Sequence, residues 1–151
     1  MKIQLVSVAL LISLLVSCKK ATKELSPIPT ISLGSVTDSI VQGEDTILIR
    51  FGFADGDADL GMNKDSADLF LRNSWDSTWN EYFFPTDIPD NLKDPTKGLE
   101  GIATIKLLGA QFLIDTAIHP KGDTIKFEFY IRDQALHTSN HIITPTVFVK
   151  P

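Results

Sequence analysis

From Thr30 onward, hydrophobic and polar residues alternate with a period of two in short runs, and turn-forming residues separate the runs. The clearest run spans residues 46–53, where every second position is isoleucine or phenylalanine: Ile47, Ile49, Phe51 and Phe53. Successive side chains of a strand point to opposite faces of a sheet. The pattern therefore predicts a strand whose isoleucine and phenylalanine face is buried.

Seven stretches with this character predict seven strands. They are residues 30–40, 46–53, 68–72, 79–84, 102–108, 124–131 and 141–149. Pro145, in the last stretch, favours an edge position there, because an edge strand can spare a backbone donor. Seven short strands in one run of chain are typical of a seven-stranded antiparallel immunoglobulin-like β-sandwich, so the predicted fold class is all-β.

Two connections are longer than a hairpin needs. Residues 86–101 are rich in proline, glycine and charge and have no apolar period, which predicts an exposed crossover. Residues 109–122 contain Phe112, Leu113, Ile114 and Ile118. We expect part of this second connection to pack on the core or to form one helical turn.

Composition and charge narrow the class of protein. The chain has 151 residues, of which 43% are hydrophobic, enough for one domain with a core. Its 14 Lys and Arg against 19 Asp and Glu give a net charge of −5, and no basic run is present. Such a chain is poorly suited to bind nucleic acid, because phosphate neutralisation supplies most of that affinity. The single cysteine, Cys18, excludes an intramolecular disulfide and a cysteine-based zinc site.

The N-terminus carries a targeting signal. Lys2 is followed by a stretch, residues 3–16, in which only Gln4, Ser7 and Ser13 are polar. This stretch is short for a membrane span, which needs about 20 apolar residues. We interpret residues 1–17 as a signal peptide.

The end of this segment resembles the lipobox of bacterial lipoproteins, since Leu15-Val16-Ser17-Cys18 has a Leu and two small or aliphatic residues before a Cys. The resemblance implies cleavage before Cys18 and a covalent lipid on that cysteine. Two or more acyl chains give stable anchoring to a membrane. Residues 18–29 then form a tether whose Ser26-Pro27-Ile28-Pro29 end is extended, and residues 30–151 form the folded domain.

The resemblance also indicates a location. The Cys18-Lys19-Lys20 start is similar to that of small lipoproteins of Bacteroidetes-type bacteria. Lys19 differs from the Asp that signals inner-membrane retention in the best-known bacteria, which implies the bacterial outer membrane. Whether the domain faces the periplasm or the outside stays open.

One cluster has chemical character: Asp55, Asp57 and Asp59 occupy alternate positions next to Gly56 and Gly61. Carboxylates this close repel one another unless a cation, a positive side chain or water takes up the charge. Calcium is a hard ion that accepts six to eight oxygens from such loops. The other interpretation is a solvated turn, in which the aspartates cap backbone amides and Arg132 neutralises part of the charge.

The segment Asp57-Ala58-Asp59-Leu60-Gly61-Met62-Asn63 resembles the cadherin motif Asp-Ala-Asp-x-Gly-x-Asn, which follows the second strand of a seven-stranded sandwich and helps to hold calcium. In such a sandwich the loop after the sixth strand emerges at the same end. The resemblance thus implies Asp57, Asp59 and Asp133 as calcium ligands. Asp55 is a fourth candidate, and a carbonyl of Met62 or Asn63 is a supplement.

Three aromatic residues, Trp75, Trp79 and Tyr82, lie around the predicted hairpin of the third and fourth strands. Exposed together, they would form a stacking surface for sugar rings or an anchor for a protein partner. The other interpretation is that they pack over the edge of the sandwich. The three histidines, His119, His137 and His141, are interpreted as surface residues.

The chain contains no nucleophile elbow, metalloprotease helix motif or glycine-rich phosphate loop. We therefore expect a binding or structural module rather than an enzyme. The sequence predicts a lipid-anchored protein of the cell envelope whose acidic loop either binds a stabilising calcium ion or forms a solvated turn, and whose protein or glycan partner it leaves unidentified. A glycan-binding accessory lipoprotein that uses the Trp75, Trp79 and Tyr82 surface is the alternative.

Overall fold

A computed structural model describes residues 25–61, 67–83 and 98–151 of the chain. Its described part is all-β apart from one 3₁₀ turn, which confirms the predicted class. The strands are β1 (Thr30–Val36), β2 (Ser39–Val41), β3 (Thr46–Asp55), β4 (Leu69–Asn73), β5 (Asn80–Tyr82), β6 (Leu99–Leu108), β7 (Asp123–Ile125), β8 (Phe127–Ile131), β9 (Ile142–Ile143) and β10 (Val147–Lys150). The described residues include no helix with the length and hydropathy to cross a bilayer.

The first sheet has the order β1-β3-β6, and both pairings are antiparallel. Strand β3 lies in the middle and pairs with β6 along its whole length, from Thr46 opposite Leu108 to Asp55 opposite Leu99. Its inward residues Ile47, Ile49 and Phe51 have no exposed surface, and Phe53 packs against the same core. The predicted burial of the isoleucine and phenylalanine face is confirmed.

The second sheet has the order β5-β4-β8-β9, again with antiparallel pairings. Its inward residues Phe127, Phe129 and Ile131 are fully buried. The rings of Phe51 and Phe129 lie 5.1 Å apart between centroids, so the two sheets pack directly face to face. The described part is therefore a β-sandwich with one shared hydrophobic core.

Three of the seven predicted strands are each broken in two, and this correction accounts for the ten observed strands. A third sheet, β2-β10-β7, is built from one part of each broken strand, and β2 runs parallel to β10 in it. The breaks have local causes. The amide of Lys126 donates to the Ser74 hydroxyl at 3.1 Å instead of to a strand. Pro145 has no amide hydrogen and lies between β9 and β10, not within an edge strand as predicted.

The two long connections, residues 86–101 and 109–122, agree only in part with the structure expected for them. The predicted crossover, residues 86–101, lies mostly outside the described residues, as does Phe84 at the end of the fourth predicted strand. In the second connection, Gly109–Gln111 form the 3₁₀ turn and Phe112 is buried with its ring 5.5 Å from Phe127. Leu113 and Ile118 of that connection are exposed, so it packs on the core through Phe112 and the partly buried Ile114.

The core contact between the sheets leads to a stability prediction. Replacing Phe129 by Ala removes a fully buried ring from the middle of the sandwich and should lower the free energy of unfolding by about 3–5 kcal/mol. The matched change Phe148→Ala, at a ring that is 37% exposed, should cost far less. Denaturant unfolding of both variants measures the difference. Equal losses would show that the Phe51–Phe129 contact does not hold the sheets together.

Candidate metal centre

The candidate centre begins where β3 ends. The inward series of that strand continues from Ile47 through Phe53 to Asp55, so the alternation that buries the core also directs an aspartate inward. Asp55 is only 2% exposed. A carboxylate is costly to bury without partners that offset its loss of hydration.

The loop after β3 folds tightly around this side chain. One oxygen of Asp55, Oδ2, accepts hydrogen bonds from the amides of Asp59 at 2.9 Å and Leu60 at 3.2 Å. The loop turns through positive φ at Ala58 (60°) and at Gly61 (68°), where glycine is favoured. Ala58 and Leu60 are buried in the hydrophobic core, so their packing holds the loop in place.

A second loop approaches from the other sheet. Strand β8 ends at Ile131, and two residues later Asp133 is 4% exposed. Both oxygens of Asp133 contact His137: Oδ1 accepts from its amide at 2.7 Å, and Oδ2 lies 2.8 Å from Nδ1 of its ring. The amide of Ala135 donates to Asp59 Oδ2 at 3.2 Å, which joins this loop to the first one.

The two loops bring together the four aspartates that the sequence singled out. Asp55, Asp57, Asp59 and Asp133 each offer one carboxylate oxygen, and these oxygens all lie within 4.8 Å of one another. Oxygens on opposite sides of a bound Ca²⁺ are separated by about 5 Å, given Ca–O distances of about 2.3–2.6 Å. One cation of this size fits among the four. The supplementary ligands Met62 and Asn63 lie outside the described residues.

Two of the carboxylate oxygens are buried without a hydrogen-bond partner, Oδ1 of Asp55 and Oδ1 of Asp59. A solvated turn accounts for the amide bonds to the Oδ2 atoms but leaves these two oxygens unexplained. Arg132 does not neutralise them, because it lies over the Phe70 ring at 4.6 Å and donates to the Ala67 carbonyl at 3.2 Å. Among the described residues it forms no ion pair with any of the four aspartates.

The electrostatics of the cluster follow from burial. Burial raises the pKa of Asp55 to about 7, and the charges of Asp57 and Asp59 and, in the protonated form, a side-chain hydrogen bond with Asp57 add to the shift. Burial also raises the pKa of Asp59, helped by the charges of Asp133 and Asp57. Keeping these carboxylates ionised therefore costs free energy, and a bound cation would offset that cost. A donor set made only of carboxylates is typical of hard ions such as Ca²⁺.

The three aromatic residues do not form the common surface that the sequence suggested. Tyr82 pairs with Leu69 in the sheet and packs against the hydrophobic core. Trp79 lies on the opposite, outer face, with its ring 5.0 Å from that of Tyr130. Trp75 donates its indole N–H to the Thr124 carbonyl at 2.9 Å. Trp79 directly precedes β5 and lies three positions before Tyr82, so the alternation of an extended chain places the two side chains on opposite faces, as the sequence already indicated.

The outer face of the second sheet holds a stack that sequence reasoning missed. The planar groups of Arg132, Phe70, Tyr130 and His141 follow one another at 4.6, 4.8 and 4.6 Å. Trp79 stands edge-on to this stack. The signal was present in the outward positions of β4 and β8, because register places residues of neighbouring strands side by side. Each inner ring of the stack has both faces covered.

Comparisons with known proteins add little to this picture. No family model matches the chain, and no curated protein matches it. One solved structure, a Niemann-Pick type C2 protein from the Japanese carpenter ant, is similar with a TM-score of 0.44 and 12% sequence identity, over 83% of this chain and 91% of that one. A likeness at this level carries no argument about function.

The raised pKa of Asp55 predicts a pH dependence of the metal-free protein. Unfolded Asp55 titrates near 3.8 and folded Asp55 near 7, so between these values the folded state keeps a proton that the unfolded state has lost. Stability in chelator should therefore fall as pH rises through this window. The pKa of His137, raised by its bond to Asp133, acts in the same direction, because that contribution is lost as pH rises through the folded value.

The measurement is a thermal melt in EDTA at about pH 5 and about pH 8. The wild-type protein should melt higher at the lower pH. Asp55→Asn should reduce this difference and should raise the melting temperature at the higher pH, because it removes the buried charge. A metal-free protein that melts higher at about pH 8, or an Asp55→Asn variant with an unchanged pH difference, would contradict the assignment.

Proposed function

We propose that this chain is a lipid-anchored module of the bacterial cell envelope with a calcium site at one end of its sandwich. The module binds a partner or serves a structural role and is not an enzyme. The observation that carries the calcium proposal is the inward Oδ1 of Asp55, which is buried and unpartnered among three further carboxylates. The ligands are Asp55, Asp57, Asp59 and Asp133, with calcium supplying charge neutralisation and a cross-link between two loops.

The finer fold in this proposal is a seven-stranded immunoglobulin- or cadherin-like sandwich. The observed strands fall within seven stretches of chain, although three stretches are broken. The first predicted strand corresponds to β1 and β2. Its β1 part pairs antiparallel with β3, and its β2 part pairs parallel with β10, which supports this topology. The pairing of β4 with β8 in the opposite sheet supports it as well.

The anchor in this proposal is a lipid on Cys18, in the outer membrane. The signal peptide, residues 1–17, and the first part of the tether lie outside the described residues, so this step depends on the lipobox-like sequence. The described end of the tether approaches the calcium end of the sandwich, where the Gly56 amide donates to the Ser26 carbonyl at 3.0 Å. Calcium would then be bound at the membrane-proximal end, which leaves the far end and the sheet faces for a protein or glycan partner.

Calcium binding is tested by thermal melts of the purified protein in EDTA and in increasing calcium. A ligand that binds only the native state at about a hundredfold excess over Kd adds about 2.7 kcal/mol, so the melting temperature should rise by several degrees. Asp57→Asn and Asp59→Asn should each reduce the rise. Asp38→Asn is the matched control, because this exposed aspartate lies between β1 and β2. This variant should keep the calcium-induced rise in melting temperature.

The calcium proposal fails if the wild-type melt does not move up to about millimolar calcium, the range of weak extracellular sites. It also fails if the Asp38 control loses the rise to the same extent as the two loop variants.

The anchor is tested separately by expressing the full chain in bacteria and weighing the product. Processing at Cys18 should remove residues 1–17 and add the mass of a diacylglyceryl group and an acyl chain, and the protein should fractionate with membranes. Cys18→Ser should abolish the added mass. A wild-type protein without a lipid mass would contradict the anchor and leave the calcium site standing.

A further inference from the structure

Resting on the calcium site proposed above, we infer that calcium locks the N-terminal lead-in, residues 25–31, onto the sandwich, so that the ion sets how the domain is held on its tether. The lead-in contacts both loops that carry the ligands. The same ion then has a second role, because it couples the metal site to the chain segment that enters the domain.

The first contact is at Gly56, directly after Asp55. Its amide donates to the Ser26 carbonyl at 3.0 Å. The backbone of the lead-in passes so close that a Cβ at Gly56 would lie 2.2 Å from the Ser26 oxygen and 2.8 Å from the Leu25 carbonyl carbon. Only glycine permits this approach. Asp55 and Gly56 share a peptide unit, so a metal that fixes the Asp55 carboxylate also restrains the group on which the lead-in lies.

The second contact is at Asn140, which follows the Asp133 loop. Its side chain accepts from the Ile31 amide at 2.9 Å and donates to the Ile31 carbonyl at 2.9 Å, as a neighbouring strand would. Pro29 is buried between the two contacts. Besides the pairing of Thr30 and Ile31 with β3, these two contacts hold the lead-in, one beside each ligand-bearing loop.

These two contacts make the coupling reciprocal. Without calcium, the carboxylates repel one another, and the loops are joined by backbone amides of the second loop, Gln134 and Ala135, that bind Asp59. With calcium, all four carboxylates bind one ion and the loops keep the spacing that the lead-in spans. If calcium favours the docked lead-in by some factor, then a docked lead-in must favour calcium by the same factor.

The coupling is tested by hydrogen exchange of the full processed protein, purified in detergent, in EDTA and in calcium. The reporters are the amides of Gly56 and Ile31, since these two groups donate at the two contacts. Both should exchange more slowly in calcium. The Gln42 amide, which donates to the Lys150 carbonyl at the other end of β3, reports any general stabilisation and should change less.

Two variants test the reciprocal effect by calcium titration. Gly56 does not have a positive φ, so Gly56→Ala suits the local backbone, and the three atoms nearest to the added Cβ all belong to the lead-in. Asn140→Ala removes the second contact at a residue that is no ligand. Each should weaken calcium binding by at least about fivefold, the low end of measured couplings. Gly52→Ala, on the same strand, would meet chiefly the movable Ser32 hydroxyl and should bind calcium as the wild type does.

The outcomes separate the two proposals. Absence of calcium binding to the wild-type protein would overturn the calcium site and the coupling together. Normal calcium binding with unchanged exchange at Gly56 and Ile31, and with wild-type affinity in both variants, would overturn the coupling alone. Slower exchange at both reporters, with weaker binding in both variants and not in Gly52→Ala, would establish it.

Discussion

The structure depends on the inward face of β3. This strand pairs with a neighbour on each side, and its side chains Ile47, Ile49 and Phe51 meet the opposite sheet. The strict alternation that buries these residues does not stop where the hydrophobic series ends, and it carries Asp55 to a position with 2% exposure. The same periodicity thus builds the core and places a carboxylate at its end, so the site is a continuation of the packing.

Burial makes this carboxylate informative. An aspartate on a surface turn is hydrated and predicts little, whereas the buried Oδ1 of Asp55 has lost its water without gaining a donor, although Oδ2 accepts from two amides. The protein holds three more carboxylates within reach of it, from loops that belong to different sheets. A cation is the simplest physical reason for such an arrangement, because it offsets the mutual repulsion of the four charges together with the burial cost of the three that are buried or half-buried.

Much of this could be predicted from the sequence, for physical reasons that differ between elements. Period-two alternation identified β3 and its buried face, because strand geometry repeats every two residues. Topology brought Asp133 to the Asp55–Asp59 loop, since both follow strands that end on the same side. The breaks at Lys126 and Pro145 were missed because the hydrophobic and polar residues keep alternating where the chain passes from one sheet to another, so the pattern does not mark the break. The separation of Trp79 from Tyr82 was missed because exposure was weighed without assigning faces.

The contacts of the lead-in could not have been predicted. Nothing in the sequence around Gly56 or Asn140 indicates which backbone groups they contact. These partners are set by the tertiary fold, since Asn140 and Ile31, for example, are 109 residues apart. Tertiary bonds of this kind leave no periodic signal. The stacked groups on the outer face of the second sheet differ, because register alone places them side by side.

The central claim is that the carboxylates of Asp55, Asp57, Asp59 and Asp133 form one cation site. Equilibrium dialysis of the purified protein against labelled calcium, at neutral pH, tests it most directly, because it counts bound ions without depending on stability. The account predicts saturation at one ion per chain, with Asp55→Asn binding far more weakly. No saturable binding up to about millimolar calcium would contradict it, as would undiminished binding by the Asp55→Asn variant.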